Sequence, residues 1–404
     1  MSWISSFDLF NACTIIKTEV ITSKLYWSIY ILQRAHVIRM YPTKEQERQL
    51  CNTAGASRFA YNWALAKWKQ MYQDVEDGKS NEKPNAFVLA KKWTKEKPEW
   101  ASETAYCCQQ RAIHNVGTAF RNLWKGQCKY PQFHKKGGRD TFYVDNAKAR
   151  WYGNRLNLPN IGRVLLAEPL RYTGKIMSYT VSHYAGQWHV SVQVEVDEDL
   201  RPVCSNPTSV VGIDVGLSNI AVASDGTVCE KPESLDRLDV KLRNAQRALY
   251  RSKRNSNNHK KLLVKKQKVQ NRINNIRKDV THKFTTAITK SHGVVVTEDL
   301  HIQEMKDKAE FKNLRKAFND SMMGMILYQL SYKAQNHIKV DRFFPSSKLC
   351  SNCGHKKENL ELSERTYTCE ACGLSIDRDL NASINLMKSG MVDPVVSVES
   401  EGTL

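Results

Sequence analysis

The sequence lacks a long hydrophobic run near its start. The apolar stretch at residues 25–32, LYWSIYIL, is far shorter than the ~20 residues that a membrane-spanning helix needs, and no small-residue cleavage site follows it. We therefore expect neither a membrane span nor a secretion signal, and we predict a soluble protein of the cytoplasm.

Acidic residues are scarce relative to basic ones. The 404 residues include 61 Lys and Arg against 41 Asp and Glu, which gives a formal net charge of +20. Such a surplus implies a polyanionic partner, either nucleic acid or an anionic membrane surface, and composition does not choose between them. A hydrophobic content of 41% is enough for sizeable cores, and the length suggests two or three domains.

The eleven cysteines lack the spread that is typical of a secreted disulfide framework, which favours a reducing compartment. Four of them form two CxxC pairs separated by fifteen residues, each pair followed by a glycine: Cys350, Cys353, Cys369 and Cys372. This spacing is typical of a zinc ribbon, in which four thiolates surround one tetrahedral ion and leave no open position. The zinc is therefore expected to be structural. Reduced cysteines without metal, or redox pairs, are the alternatives.

Local patterns predict secondary structure from about residue 35 onwards. A strand is indicated at residues 37–41, and Thr43 with Gln46 is typical of the N-cap of a following helix. On that helix Tyr61 and Trp63 cannot share a face, so at least one of them is expected to pack in the core. Further along, the patterns predict a helical region at 54–124, a β-hairpin at 177–196 with its turn at 185–186, strands near 208–225 and 293–300, and helices at 235–290 and 311–338.

Acidic residues stand at three places where a carboxylate is costly or marks a boundary. Asp214 interrupts the apolar strand VVGIDVG, Glu298 ends the strand VVVTEDL, and Asp377 or Asp379 opens a segment with helical periodicity. A carboxylate in an apolar run costs free energy unless it is paired or bound to a metal. If three of these acids converge, they supply oxygen ligands for two Mg²⁺ ions ~3.5–4 Å apart, as phosphodiester cleavage requires. Alternatively, each acid alone caps a turn or, for Asp377, the helix.

Basic residues concentrate in two segments. Residues 241–290 hold sixteen Lys and Arg with one acidic residue, and residues 129–144 interleave basic and aromatic side chains. We expect contacts with phosphates and RNA bases, and binding that weakens strongly with salt. The candidate contact residues are Lys135, Lys136, Arg139, Arg251, Lys253, Arg254, Lys260, Lys261, Lys265 and Lys266. A solvated face is the alternative for the charges, and core packing is favoured for the single aromatic residues, namely Phe133, His134, Phe142 and Tyr143.

Several motifs resemble those of one protein family, in the family's order. GIDVGLSNIAVAS, VVVTEDL and CSNCG…YTCEACGLSIDRDLNASINL are similar to the three split RuvC motifs and the inserted zinc ribbon of TnpB (OrfB). TnpB proteins are transposon-encoded RNA-guided DNA nucleases related to the type V CRISPR effectors and to Fanzor. VIRMYPTKEQERQL, RFAYNWAL, YPQFHKKGGRDTFYV and FFPSSKLCSNCG also look like family motifs, and the likeness spans about residues 34–388.

The resemblance implies an α/β multidomain fold. Its parts are a RuvC/RNase H-like nuclease core with an inserted four-cysteine zinc ribbon, a β-barrel wedge domain and a helical recognition domain. The implied boundaries are a terminal arm or mis-assigned start at 1–34, the wedge domain at 35–53 and 130–206, the recognition domain at 54–129, the nuclease domain at 207–345 and 375–388, the ribbon at 346–374, and a tail expected to be disordered at 389–404.

The resemblance also assigns roles to residues and implies partners. Asp214, Glu298 and Asp379 match the family's catalytic Mg²⁺ ligands, with Asp377 as a helix cap or an auxiliary acid. Ser383 replaces a family alanine, and we do not expect this change to abolish metal binding. The implied activity is cleavage of double-stranded DNA next to a short motif, directed by a guide RNA from the transposon end, in a prokaryotic, nucleoid-associated protein.

Two alternatives stay open. The first is a guide-dependent DNA-binding repressor or a non-catalytic transposition accessory protein; family members that become repressors lose acids of the triad, and this chain keeps all three. The second is a structure-selective nuclease without a guide, for which the basic segment, helical domain and ribbon would be unnecessary. Transposon ends flanking the gene, with a structured RNA overlapping its 3′ end, would favour the guided nuclease.

Overall fold

The chain folds into two compact units that divide between residues 199 and 200. The structure is a computed structural model that describes residues 32–136, 140–196, 201–217, 219–361 and 364–392. The first 31 residues of the predicted N-terminal arm and the predicted tail from residue 393 lie outside this part. Within the described residues no helix is long and apolar enough to cross a membrane.

A seven-stranded antiparallel sheet organises the first unit. Its strands are β1 (Leu32–Tyr41), β2 (Asp140–Asp145), β3 (Arg150–Tyr152), β4 (Arg155–Leu158), β5 (Gly162–Leu166), β6 (Lys175–Tyr184) and β7 (Gln187–Val196). Their order is β2-β6-β7-β1-β5-β4-β3, and no pairing among the described residues joins the edges β2 and β3. The expected closed barrel is therefore not found. The edge strand β3 has only 3 residues, which leaves few backbone groups for closure.

The hairpin of β6 and β7 confirms the predicted turn. Ala185 and Gly186 form a two-residue connection with φ values of 56° and 74°. Positive φ at both positions is the geometry of a type I′ turn, which matches the twist of the paired strands. Alternate side chains of β7 from Trp188 to Val196 are buried, so one face of the hairpin joins the core of this sheet.

Among the described residues, three α-helices accompany this sheet: α1 (Lys44–Glu76), α2 (Ala86–Glu96) and α3 (Tyr106–Trp124). The predicted cap is confirmed, because the Gln46 backbone donates to Thr43 Oγ1 at 3.3 Å and the Thr43 backbone donates to Gln46 Oε1 at 3.0 Å. Both Tyr61 and Trp63 are packed. Tyr61 is buried, and the Trp63 ring lies 5.0 Å from the buried ring of Trp93.

A five-stranded mixed sheet organises the second unit. Its strands are β8 (Val210–Val215), β9 (Ala221–Ala223), β10 (Val228–Cys229), β11 (Val294–Glu298) and β12 (Asn336–Val340), in the order β10-β9-β8-β11-β12. Strands β8, β11 and β12 are parallel, whereas β9 and β10 are antiparallel. The carboxyl ends of the three parallel strands therefore meet at one edge of the sheet.

In the described part of this unit, five α-helices join these strands: α4 (Ser234–Arg251), α5 (Asn257–Ser291), α6 (Ile302–Lys308), α7 (Lys312–Asp320) and α8 (Met323–Lys333). The basic segment is thus two helices, because the chain turns through Asn255 at φ 66° and α5 restarts at the Ser256 N-cap. The prediction of one helix at 311–338 is wrong in two ways, because the segment forms two helices, α7 and α8, and its end is not helical. Residues 336–340 form β12, because they pair in parallel with β11, a partner that local periodicity does not reveal.

A short two-stranded ribbon and a last helix complete the second unit: β13 (Thr366–Thr368), β14 (Ser375–Asp377) and α9 (Arg378–Val392). Helix α9 lies directly on the mixed sheet and continues four residues past residue 388. A Cβ atom at Gly212 would overlap the Ser383 carbonyl oxygen and lie 2.5 Å from the Met387 nitrogen. Gly212 therefore permits the close contact between β8 and α9.

We predict that Gly212→Ala lowers the free energy of unfolding of the second unit by about 3 kcal/mol, at the upper end of overpacking costs. The new methyl group would push against helix backbone, which cannot move aside as a flexible side chain can. Chemical denaturation followed by circular dichroism measures the change. Gly324→Ala is the control, since its Cβ would meet Ile302 Cδ1 at an ordinary 3.6 Å. Equal stability of the two variants would contradict the proposed close packing.

Candidate functional site

Asp214 and Glu298 lie side by side on one face of the mixed sheet. Val211 and Ile213 of β8 are fully buried in the core on the opposite face, so Asp214 shares the α9 face with Gly212. Ile213 is in register with Thr297 of the parallel strand β11, and each acid is the next residue along its strand. The two carboxylates are therefore neighbours at the carboxyl ends of β8 and β11.

The first turn of α9 supplies the third acid and separates the roles of two aspartates. Asp377 Oδ1 accepts hydrogen bonds from the backbone nitrogens of Asp379 and Leu380, both at 3.0 Å, so this exposed carboxylate occupies the N-cap position. The Asp379 side chain is only 15% exposed and accepts a hydrogen bond from Asn219 Nδ2 at 3.1 Å. Arg378 Nε lies 3.8 Å from Asp379 Oδ1.

The charges of Glu298 and Asp379 act on the buried carboxyl group of Asp214. Burial, followed by the charges of Glu298 and Asp379, raises the pKa of Asp214 to about 7, although the Arg378 charge opposes the shift. Burial also raises the pKa of Glu298, while a hydrogen bond from Ser346 opposes this rise. Three partly desolvated oxygen donors that repel one another are a suitable site for a hard divalent cation such as Mg²⁺, which would stabilise their ionised forms.

The four predicted zinc ligands are brought together at one end of the ribbon. The Sγ atoms of Cys350 and Cys372 are 3.6 Å apart, as are those of Cys353 and Cys369. Among the described residues they are the one group of three or more potential ligands whose atoms all lie within 4.8 Å of one another. Zn–S bonds of ~2.3 Å in a tetrahedron place sulfurs about 3.8 Å apart, so the cluster fits a zinc ion.

The backbone around each cysteine pair forms a matching knuckle. Gly354 and Gly373 have φ values of 76° and 72°, which favour glycine, and their nitrogens donate to the Cys350 and Cys369 carbonyl oxygens at 2.9 and 3.0 Å. Tyr367 is fully buried between them and its hydroxyl donates to the Lys348 carbonyl oxygen at 3.2 Å. The two knuckles are therefore held at a fixed spacing.

One functional feature was not apparent from motifs alone: polar residues of α9 bind the first knuckle. Asn381 and Asn385 are buried, and both donate to the Leu349 carbonyl oxygen, at 2.6 and 2.7 Å. Lys388 donates to the Ser351 carbonyl oxygen. These residues follow at i, i+4 and i+7 along one helix face, beside buried Leu386. Such a polar stripe on an otherwise buried helix is the signal that could have revealed them.

Most candidate nucleic-acid contacts are solvent-exposed basic side chains. Lys135 and Lys136 are exposed on the loop before β2, and Lys266 of α5 is half-buried. Exposed side chains on α4, the following turn and α5 are Arg251, Lys253, Arg254, Lys260, Lys261 and Lys265. Arg139 lies outside the described residues. The charged surface along α5 is thus compatible with binding to a phosphate backbone.

Among the aromatic candidates, the core interpretation fits best for Phe142, which is 2% exposed. The His134 ring stacks on Tyr61 with the centroids 3.9 Å apart, and Asn62 makes two hydrogen bonds with the His134 backbone, at 2.9 and 2.8 Å. Tyr143 lies beside Arg111, whereas Phe133 stays about half exposed near a lysine. The loop before β2 is therefore anchored to α1.

We predict that Asp214→Asn stabilises the chain at pH 8 without added divalent ions and has little effect at pH 5. In the folded chain the pKa of Asp214 is about 7, above its ordinary value, so the folded chain keeps a proton on Asp214 that the unfolded chain has already lost. This proton is released as the pH rises towards 7, and the free energy of unfolding falls over the same range. The substitution removes the charge, so we expect Tm to rise by about 2–4 °C, which corresponds to about 1 kcal/mol. Differential scanning fluorimetry at both pH values measures it.

Asp225→Asn is the matched control for this prediction. Burial alone would raise the pKa of Asp225, but hydrogen bonds from Thr227 and His292 outweigh it and lower the pKa. The ionised form therefore stabilises the fold above the ordinary pKa, and we expect its loss to lower Tm at pH 8. A decrease in Tm for Asp214→Asn at pH 8 would contradict the raised pKa of Asp214, and with it the burial and the neighbouring negative charges that cause it.

Comparison with known proteins gives consistent results along the chain. Residues 189–309 match the family OrfB_IS605, described as a probable transposase, and residues 323–386, which hold the four cysteines, match the Cas12f1-like TNB domain. Residues 32–78 match a helix-turn-helix domain, although here they form β1 and the single helix α1. The matched segments thus cover parts of both units.

Relatives match over most of their length. The Escherichia coli K12 protein named "Putative RNA-guided DNA endonuclease InsQ" is 30% identical over 382 residues, covering 88% of this chain and 92% of the relative. A Streptomyces pristinaespiralis protein, "Putative RNA-guided DNA endonuclease", is 31% identical over 369 residues, covering 89% and 90%. The cryo-EM structure of a Cas12f1–sgRNA–target DNA complex shares the fold with a TM-score of 0.51 at 14% identity, covering 88% of this chain and 98% of that chain. The chain therefore belongs to the TnpB (OrfB) family.

Proposed function

We propose that the protein is an RNA-guided DNA endonuclease that cuts double-stranded DNA next to a short motif by two-metal, RuvC-type chemistry. The observation that carries this proposal is the placement of Asp214 and Glu298 at the ends of neighbouring parallel strands, beside Asp379 of α9. Burial first, and then the charges of Glu298 and Asp379, raise the pKa of Asp214. The strand order β10-β9-β8-β11-β12, with acids on the two central parallel strands, supports an RNase H-like nuclease core. The names of the two relatives that match over most of their length agree with it.

The three acids would hold Mg²⁺, which supplies an activated water and neutralises the charge that develops on the leaving oxygen. Asn219 would orient Asp379 through its hydrogen bond of 3.1 Å. Asp377 would act by capping α9.

The basic surface would bind the nucleic acids. The exposed lysines of α5 offer sequence-independent phosphate contacts, as a protein needs when base pairing with a guide reads the sequence. A similar protein has been solved as a Cas12f1–sgRNA–target DNA complex, and that likeness concerns the fold. We propose a guide RNA from the transposon end and one nuclease site that cuts the two DNA strands in turn. The four thiols would hold a structural zinc ion.

A DNA-binding repressor or accessory protein is the weaker proposal. Such a protein would bind phosphates with its lysines, and it would gain nothing from three acids that repel one another inside the fold. Residues that destabilise a fold in this way are typical of sites with a chemical function. The geometry of the acids therefore favours a nuclease over a protein that only binds DNA.

The decisive experiment is to purify the chain with its bound RNA, sequence that RNA, and incubate the complex with Mg²⁺ and a plasmid library carrying the matching target. We expect cleavage beside a short motif, and a loss of at least about 10³-fold for Asp214→Ala, Glu298→Ala or Asp379→Ala, because each removes a proposed metal ligand. Asp377→Ala should retain much more activity than Asp379→Ala, since it removes a cap worth about 1 kcal/mol.

The outcomes separate the two functions. Binding of matched DNA without cleavage would favour the repressor. Failure to recover any RNA, or undiminished cleavage by Asp214→Ala, would refute the proposed mechanism.

The basic face of α5 gives a separate prediction. Lys261→Ala with Lys265→Ala removes two exposed charges at i, i+4 spacing, and we expect the slope of log affinity against log salt to decrease by about 1.4–1.8. Filter binding of RNA and of DNA at several salt concentrations measures the slope. Lys283→Ala with Asp279→Ala is the control, because it removes an ion pair of 2.8 Å without changing net charge. If the double lysine variant leaves the slope of log affinity against log salt unchanged, Lys261 and Lys265 do not contact phosphates.

A further inference from the structure

We propose that the first cysteine knuckle positions Glu298 and Asp379, through Ser346 and the asparagines Asn381 and Asn385, so that the ribbon acts as a positioning element of the carboxylate site. This inference rests on the proposed function for the meaning of that site. It assigns a role to three buried polar residues that are neither proposed metal ligands nor zinc ligands.

Ser346 connects the ribbon to the carboxylate site. Its hydroxyl donates a hydrogen bond to Glu298 Oε1, and the side chain is only 5% exposed. The Ser346 carbonyl oxygen accepts a hydrogen bond from Asn385 Nδ2 at 2.8 Å, and its backbone nitrogen donates to the Phe344 carbonyl oxygen at 2.8 Å. The donor that faces Glu298 is therefore fixed on both sides of its own backbone.

The asparagines fix the backbone on either side of Cys350. Asn385 and Asn381 both donate to the Leu349 carbonyl oxygen, while Asn381 Oδ1 accepts from the Ser351 backbone nitrogen at 2.9 Å. Asn381 is fully buried and Asn385 is 6% exposed. A buried amide that loses its hydrogen-bond partners destabilises the fold, so these contacts hold the helix and the knuckle in one relative position.

The same helix carries Asp379 in its first turn. The knuckle therefore has a defined position relative to Asp379 through Asn381, and relative to Glu298 through Asn385 and Ser346. Asp214 has its own constraint, since β8 packs against α9 at Gly212. A metal in the cysteine cluster would fix the knuckle in turn, because Cys350 lies between the two residues that Asn381 holds.

The test uses Mn²⁺ as the probe for the carboxylate site and the full chain, freed of nucleic acid, as the protein. The electron paramagnetic resonance signal of the free ion measures how much Mn²⁺ is bound. Asp214→Asn identifies the signal of that site. We expect Ser346→Ala to weaken Mn²⁺ binding there by roughly tenfold, since it removes a hydrogen bond to a charged group. Zinc content and Tm should stay close to those of the wild type. Asn385→Leu should also weaken Mn²⁺ binding, because it removes the hydrogen bond to the Ser346 carbonyl oxygen.

Two variants separate positioning from general packing. Ser346→Thr retains the hydroxyl and should restore Mn²⁺ affinity. Ser347→Ala removes the neighbouring hydroxyl, which takes part in no hydrogen bond with the described residues, and should bind as the wild type does. Three results would each overturn the proposal. They are wild-type Mn²⁺ affinity in Ser346→Ala, an equal decrease of Mn²⁺ affinity in Ser346→Ala and Ser347→Ala, and a decrease of Mn²⁺ affinity that accompanies a loss of zinc.

The proposal and the proposed function fail in different ways. A wild-type complex that retains RNA but does not cut would refute the nuclease function, whereas the Mn²⁺ measurement needs no cleavage. Conversely, active wild-type protein with unchanged Mn²⁺ binding in Ser346→Ala would leave the nuclease in place and refute the positioning role.

Discussion

The direct packing of α9 on β8 is the contact on which the candidate site depends. Gly212 has no side chain, so the Ser383 and Met387 backbone can lie against the strand, and Gly390 allows the same approach to Val296 of β11. This contact sets the height of α9 above the sheet. Asp379 in the first helical turn thereby reaches the edge where the strands that carry the other two acids end. A larger residue in the strand would move one acid away from its partners.

The assembled acids oppose the stability of the fold that holds them. Burial and mutual repulsion raise the pKa of Asp214, and the nearby cationic group, Arg378, only partly offsets them. Parallel pairing of β8 with β11 and the packing of α9 keep the carboxylates in place despite this cost. Under the proposed function, the net charge of +20 would attract phosphates to Lys and Arg, while the acids would hold the metal ions that cut the phosphodiester bond.

Features encoded by neighbouring residues were predictable from the sequence, and features that depend on distant partners were not. The capping box at Thr43, the turn at Ala185 and the cysteine spacing follow from local chemistry, and the structure contains all three. The local periodicity of residues 336–338 predicts helix, whereas strand β12 forms there because it pairs with β11, some forty residues earlier. Closure of the barrel depends on whether the two edge strands β2 and β3 pair, and no local sequence pattern predicts that pairing. The distinction between Asp377 and Asp379 also needed the hydrogen bonds of the helix start.

The position of the ribbon in the chain gives it more than a local structural role. It begins a few residues after β12 at Ser346, which contacts Glu298, and it is followed by β14 and by α9, whose first turn carries Asp379. An insertion of this length would leave its two ends loosely coupled, since closing a flexible loop costs entropy that grows with its length. Asn381 and Asn385 tie the returning helix to the departing segment at Leu349. A metal held by the four thiols would keep that segment in one conformation, so the insertion would strengthen the geometry of the acids that flank it.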